Sequence, residues 1–329
     1  MASTRYRLIE LLNMNEHHYI SGQKLSEELH ISRSAIWKHM KELEKDGYVI
    51  EGVRRKGYRI VRSPDKVSEN TIFWGLKTQW LGKNMTHKKV MDSTQSAAHQ
   101  EALHGAPNGT VVIADEQTWG KGRMDRQWHS ASHQGIWMSV ILRPGIPPVH
   151  APQLTLMTAA AIADVLASYT DAEPSIKWPN DILINHKKAA GILTEMQAEE
   201  DRVQYVVIGI GVNVNHTQGD FPAELNEKAT SIKRETGDHY QVKGLIQHML
   251  LRLEQLYDTF MQSGFQPIRA KWESYGYRLG ETIRIRTARN VWTAVFSGIA
   301  DDGALLAQMD DNEPKKIYSG EMEWFPDDA

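Results

Sequence analysis

The chain contains no cysteine, which excludes a disulfide framework, a thiolate metal cage and any cysteine-bound acyl intermediate. Group transfer here has to proceed without sulfur. No stretch approaches the roughly 20 apolar residues that a membrane span requires, and residues 1–10 lack the apolar core of a signal peptide, so the chain reads as soluble and cytoplasmic. There is no G-x-S-x-G elbow, no H-E-x-x-H pair, no G-x-G-x-x-G and no G-x-x-x-x-G-K-[ST]. The commonest signs of an α/β-hydrolase, a zinc protease, a dinucleotide fold and a P-loop are therefore missing. Fourteen histidines, of which His17 and His18 are adjacent, assemble into no metal signature, and metal ligands stay unassigned. Internal repeats and low-complexity tracts are absent as well.

What is present argues for several domains. A length of 329 residues with 41% hydrophobic content allows two or three units, each with its own core. The net charge of -3 hides an asymmetry: residues 1–66 carry thirteen Lys and Arg against nine Asp and Glu, and the remainder is acidic. The basic end is the place to expect nucleic acid.

From Tyr6 to Asp46 the apolar residues fall in three helical stripes: Leu8, Ile9, Leu11 and Leu12; then Leu25 and Leu29; then Ile36, Met40 and Leu43. Ser21 and Ser32 stand where N-caps of the second and third helices belong, with Arg33, Lys38 and Lys41 on the polar side of the third. Past Gly47 the period changes. Residues 48–53 and 58–61 flank Arg54-Arg55-Lys56-Gly57 and predict a hairpin with a basic tip. Three helices and a basic hairpin make a winged helix-turn-helix, followed by a linker at Ser63-Pro64-Asp65.

The centre mixes both periods. Residues 94–104 and 152–168 predict helices; residues 110–114, 136–142, 182–184, 191–196 and 205–214 predict strands, with a turn at Asn185-His186-Lys187-Lys188. Without strict βαβ alternation the class is α+β. Residues 243–262 predict a long amphipathic helix, and four short strands between residues 282 and 318 predict a small β-barrel.

Two segments carry chemistry. Thr118-Trp119-Gly120-Lys121-Gly122-Arg123-Met124, followed by Arg126, Trp128 and His129, reads either as a backbone-and-cation cradle for phosphate or as a solvated basic loop. Lys177-Trp178-Pro179-Asn180-Asp181 reads either as a site turn, with Lys188 returned to it by a hairpin, or as a turn around a half-buried tryptophan. Asp92-Ser93-Thr94-Gln95 is a helix cap that also offers polar groups to a ligand. Gly209-Ile210-Gly211-Val212-Asn213 ends a strand, where Asn213 reads a base edge or closes a turn.

These segments, together with Gln117 and Lys188-Ala189-Ala190-Gly191-Ile192-Leu193, occur in an order that closely resembles the bifunctional biotin-protein ligase and biotin operon repressor family of Bacillus-like bacteria. The likeness covers essentially the whole chain. It implies a multidomain α+β protein: a winged helix-turn-helix over residues 1–65, a class II aminoacyl-tRNA synthetase-like biotin/lipoate ligase domain over 66–276 and an SH3-like β-barrel over 277–329. It implies an ATP-dependent biotin-[acetyl-CoA-carboxylase] ligase that also represses biotin synthesis and uptake genes. Its substrates and cofactor would be biotin, ATP and Mg²⁺. Its partners would be the biotin carboxyl carrier protein of acetyl-CoA carboxylase, other biotin-dependent carboxylases and operator DNA, bound as a homodimer, with no membrane.

By the same resemblance, biotin would sit among Ser93, Thr94, Gln95 and Gln117. The loop Gly120, Lys121, Gly122, Arg123 and Met124 would close over biotinyl-5'-AMP, with Trp128, Lys188, Gly191 and Asn213 completing the site. Arg123, Lys188 and Asp181 would be catalytic. Ser32, Arg33, Ser34 and Lys38 on the recognition helix, and Arg54, Arg55 and Lys56 on the wing, would contact DNA. The family loop usually reads Gly-Arg-Gly-Arg; Lys121 keeps the charge without the planar fork, which predicts weaker retention of the adenylate. Attack of a carboxylate on ATP, then of a lysine amine on the mixed anhydride, needs cations and no enzyme nucleophile. A biotin-sensing regulator without transfer activity and a lipoate-type ligase are the competing expectations.

Overall fold

Ser21 and Ser32 do in the computed structural model what their positions predict. The Lys24 amide donates to Ser21 Oγ at 3.1 Å and the Ala35 amide to Ser32 Oγ at 3.2 Å, so each satisfies an orphan donor at its helix start. The structure describes residues 4–15, 18–64, 66–287, 290–309 and 313–323; His17 of the histidine pair and Asp65 of the expected linker lie outside them. The chain divides into two compact units, Met1–Lys77 with Gln241–Gln247, and Thr78–Tyr240 with His248–Ala329.

In the first unit, α1 (Thr4–Met14), α2 (Gly22–Leu29) and α3 (Arg33–Lys45) lead into the antiparallel pair β1 (Val49–Val53) and β2 (Gly57–Arg62), then into α4 (Glu69–Phe73). The three predicted stripes meet: Leu8, Ile9, Leu12, Leu25, Ile36, Met40 and Leu43 are all buried in one core. Each such side chain contributes about 1.5–3 kcal/mol on burial. Trp74 joins that core, so residues 66–77 belong with this unit.

The second unit is built on a seven-stranded sheet in the order β3-β4-β5-β9-β8-β7-β6. Its strands are β3 (Met85–Met91), β4 (Thr110–Gln117), β5 (Gly135–Leu142), β6 (Pro174–Lys177), β7 (Asp181–Ile184), β8 (Lys187–Glu199) and β9 (Arg202–Asn213). β3 and β4 are parallel and the other pairs antiparallel, the mixed pattern expected of α+β. α5 (Thr94–Leu103) joins the parallel pair and buries Ala98 and Ala102 against Val112, Ile141, Tyr205 and Val207.

α6 (Ala151–Tyr169) requires a correction. With the preceding turn it is apolar and long enough to cross a membrane by composition, contrary to the expectation that no stretch comes close. It is mostly buried and packs on β6, β8 and α9 (Gln266–Glu273), as the core helix of the unit. α7 (Ile232–Thr236) and α8 (Val242–Ser263) precede α9. β10 (Thr282–Arg286), β11 (Val291–Ile299), β12 (Leu305–Gln308), β13 (Lys315–Ile317) and β14 (Glu321–Glu323) then form a five-stranded antiparallel sheet in the order β13-β12-β11-β10-β14. Among the described residues the expected four strands thus number five.

Candidate active site and nucleic-acid interface

A cavity of about 750 Å³ opens over the second unit, between the ends of β4, β8 and β9, the turn from β6 to β7, and β14. Every ligase residue proposed from sequence lines it except Gly120. That glycine stands behind the wall, where a Cβ would come within 2.5 Å of the Trp128 carbonyl oxygen and 2.8 Å of Ser130 Oγ.

The basic segment is a small hairpin. The Gly122 amide donates to the Arg126 carbonyl at 2.7 Å and the Trp128 amide to the Gly120 carbonyl at 2.8 Å. Met124 and Asp125 at its tip both take left-handed backbone, with φ of 55° and 56°. Arg123 turns inward and donates to Asn180 Oδ1 at 2.9 Å; Met124 is exposed. Arg126 reaches Glu321 of β14 in an ion pair. Burial pushes the Arg123 pKa down, while Asp181 and Glu321 favour its charge.

The second segment is a hairpin tip between β6 and β7. Asn180 accepts from Arg123 and donates through Nδ2 to the Ile192 carbonyl at 2.9 Å, which ties the lid to the sheet. Asn185 and His186 turn the next hairpin with φ of 48° and 65°. As expected, this returns Lys188 to Asp181, with Nζ 2.7 Å from Oδ1. Lys188 also lies 5.2 Å from the centre of the Trp128 ring, a cation–π distance. Burial pushes Lys177 down from the usual ammonium range, against the pull of Asp181.

The glycines of β8 and β9 acquire a reason. A Cβ on Gly211 would approach Trp128 to 2.5 Å, one on Gly191 would approach it to 2.9 Å, and one on Gly209 would meet Gln95 Oε1 at 2.6 Å. They leave room for an aromatic wall and an amide floor. Asn213 donates from Nδ2 to the Thr230 carbonyl at 3.0 Å while lining the cavity, a bond to a distant segment and not the closing of a turn.

The uncharged part of the wall is a hydrogen-bond chain. Ser93 caps α5. Thr94 donates to Gln117 Oε1 from both its amide (2.8 Å) and its hydroxyl (3.1 Å), and Gln117 Nε2 donates to Ser130 Oγ at 2.7 Å. Beside it the wall is cationic: Lys121, Arg123, Arg126, Lys177, Lys188 and Lys228 face only Asp181, Glu321 and Glu323. Six cations against three carboxylates suit a polyanion such as a triphosphate.

Sequence reasoning left out Asn180 as a site residue, Lys177, Ser130 and Ser139, and the carboxylates of β14. The bond of Asn180 to the lid and the place of Lys177 in the cavity were findable in the Lys177–Asp181 motif; nothing local marks Glu321 or Glu323. Among the described residues no group of three or more His, Asp or Glu is arranged for a metal ion.

In the first unit, Arg33, Ser34, Lys38 and Lys41 are exposed on α3, and Arg54, Arg55 and Lys56 are exposed at the tip between β1 and β2. Ser32 caps α3 and its Oγ lies 2.9 Å from that of Ser34. The wing is braced beneath its tip by Arg59, which donates to Glu51 at 2.8 Å and stands 5.0 Å from the Tyr19 ring centre.

Family models match three stretches: an HTH domain over residues 4–59, the biotin/lipoate A/B protein ligase family over 88–213 and the biotin protein ligase C terminal domain over 279–323. The chain is 50% identical to the bifunctional ligase/repressor BirA of Bacillus spizizenii, across 98% of this chain and 99% of that one. It is 27% identical to the protein of the same name from Escherichia coli, across 92% of each. Among solved structures, the biotin protein ligase from Aquifex aeolicus in complex with biotin and ATP superposes with a TM-score of 0.63 at 30% identity, covering 73% of this chain and 98% of that one.

Proposed function

This chain belongs to the bifunctional ligase/repressor BirA family, and from that premise we propose how its own residues divide the two activities. It is an ATP-dependent biotin-protein ligase and a DNA-binding repressor. The observation that carries the ligase reading is the juxtaposition, in one cavity, of an uncharged hydrogen-bonding wall at Thr94, Gln95 and Gln117 with six cations, three on the lid and the others at Lys177, Lys188 and Lys228.

Biotin lies against the uncharged wall, and its carboxylate attacks the α-phosphorus of ATP. Arg123, Lys121, Lys177 and Lys188 take up the charge that builds on the phosphoryl oxygens and the departing pyrophosphate. Asp181 holds Lys188 in place. The carboxylates in the wall are few and partly committed to cations, which fits Mg²⁺ carried in on the nucleotide and held at most by Asp181, Glu321 or Glu323. When bound, the ion would neutralise phosphate charge. Trp128 walls the adenine side, and Asn213 stands beside it.

The lysine of a biotin carboxyl carrier protein then attacks the mixed anhydride, with AMP as leaving group and no enzyme nucleophile. The lid hairpin excludes water from the adenylate in the interval. α3 enters a major groove of operator DNA, the wing tip contacts phosphates, and two copies span the two half-sites. A protein with these partners works in the cytoplasm.

Isotope-labelled pyrophosphate exchange tests the reading: exchange is expected with biotin and not with lipoate, and exchange with neither acid would sink it. Acceptor-dependent release of AMP separates a working ligase from a regulator that only senses biotin.

A further inference from the structure

Gln95 lies at the start of α5, buried and facing the cavity. Its side chain is held from both ends. Nε2 donates to Glu195 Oε2 at 2.8 Å and to the Val207 carbonyl at 3.2 Å, while Oε1 accepts from Ser139 Oγ at 3.1 Å. Both acceptors on the nitrogen side lack a hydrogen, so turning the amide over would bring oxygen against two oxygens. Gly209 leaves room for Oε1 where it stands, since a Cβ there would come within 2.6 Å of it.

This orientation propagates. Ser139 is buried, and its single hydrogen goes to Gln95 Oε1 or to Thr94 Oγ1, 2.9 Å away. The Thr94 hydrogen goes to Gln117. Both hydroxyl hydrogens and the whole Gln95 amino group are spent inside the protein, so the Thr94, Ser139 and Gln95 stretch of the wall has only lone pairs left for a ligand, beside Gln117, which keeps one N–H beyond the one it gives Ser130. A ligand fits it by bringing N–H donors.

Glu195 anchors the outer end of the chain. It sits on β8, does not line the cavity, and is itself held by His99 of α5, whose Nε2 lies 3.2 Å from Oε2 and whose Nδ1 lies 3.5 Å from the Tyr205 hydroxyl. The His99 hydrogen bond is the main influence keeping the Glu195 carboxyl below the ordinary range, with Lys121 of the lid acting in the same sense. As a carboxylate Glu195 can only accept.

We propose that Glu195, together with the Val207 carbonyl, fixes the Gln95 amide as a positioning residue and thereby makes the Thr94, Ser139 and Gln95 stretch of the wall acceptor-only, so that the cavity selects a cyclic urea over a dithiolane. The inference rests on the biotin reading and deepens it. A site built to hydrogen-bond rejects an analogue that cannot complete the bond far more strongly than an apolar pocket rejects an isostere, and here the bond's polarity is set from outside the pocket.

The test uses the full chain and its Glu195→Gln and Glu195→Asp variants, titrated with biotin and with lipoic acid by calorimetry in the absence of ATP. Glu195→Gln replaces an obligate acceptor by a group that also donates, which removes one of the two acceptors that oppose turning the Gln95 amide over and leaves the Val207 carbonyl as the other. Biotin is expected to bind that variant ~10-fold more weakly or worse, the loss of one hydrogen bond of mixed charge, while the lipoate affinity does not fall. In turnover the defect appears in KM for biotin, with kcat at saturation changed less than about twofold. Glu195→Asp, still acceptor-only, keeps the preference for biotin. Thermal midpoints within a few degrees of wild type establish that a general loss of structure is not being read. Unchanged biotin affinity in Glu195→Gln, or an equal loss for both acids, overturns the proposal while leaving the ligase reading intact. A wild-type chain that fails to bind biotin overturns both.

Discussion

The two units put their functional groups together in opposite ways. The cations proposed to meet DNA in the first unit are exposed and local: α3 and the wing tip lie within 25 residues of one another in sequence, and they need nothing beyond a correctly packed helix trio. The ligase cavity is concave and assembled from afar: Arg123 meets Asn180, Gln95 meets Glu195, and Arg126 meets Glu321. An exposed charged surface loses affinity in small, additive steps when side chains are removed, whereas a buried network fails as a unit.

The sharpest test of that contrast is Arg123→Ala. It should lower the rate of biotin-dependent pyrophosphate exchange by roughly 10²–10³, the usual cost of one group aimed at developing charge, and raise labelling of bystander lysines by leaked adenylate. Operator binding measured by fluorescence anisotropy should be untouched. Unaltered leakage would count against a role for Arg123 in the lid.

Acid stability sharpens it next. His216 is fully buried, against Trp137 and Phe221, and burial lowers its pKa to about 4. Its folded pKa lies below the unfolded value, so the unfolded state binds the extra proton. Stability is full above about pH 6.5 and falls as the pH drops toward 4, by ~3 kcal/mol in all. Urea melts of the wild type and His216→Phe across that window check it; the variant should show the flatter pH dependence, and parallel curves would refute the assignment.

On the DNA side, replacing Arg54, Arg55 and Lys56 by alanine should weaken operator binding by roughly 10- to 100-fold and make its salt dependence shallower by about one unit per lost phosphate contact. Pyrophosphate exchange should hold. The smallest effect is expected of Lys121→Arg, which should slow release of biotinyl-5'-AMP by a few-fold. Equal release rates would show that a point charge serves as well as a fork.

The contrast also governs what the sequence made legible. Ser21, Ser32 and the three apolar stripes act within a turn or two of themselves, so the winged helix could be read from them almost residue by residue. β3 and β6 escaped because they are edge strands of the sheet: Thr-His-Lys-Lys in β3 is only partly covered, and β6 is four residues long and starts at Pro174. The cavity's principal motifs were visible because backbone and side-chain requirements coincide there, as in the lid glycines. Glu195 and Glu321 were not, since each matters only through a partner about 100 or more residues away. Gly209 and Gly211 stand out in the sequence only as a strand end, whereas in the fold they vacate space for Gln95 and Trp128.

The lid's own hydrogen bonds carry a last consequence. A disordered loop that folded over the adenylate would lose about 1–2 kcal/mol of chain entropy for every residue it fixed. With Gly122 bonded to Arg126 and Gly120 to Trp128, much of the lid's shape is set by bonds within the hairpin itself, which lowers the ordering cost of closing it over the adenylate. Affinity for the intermediate is then set by how well Arg123 and Lys121 meet the phosphate, and the heat capacity and entropy of adenylate binding should be those of docking rather than of folding.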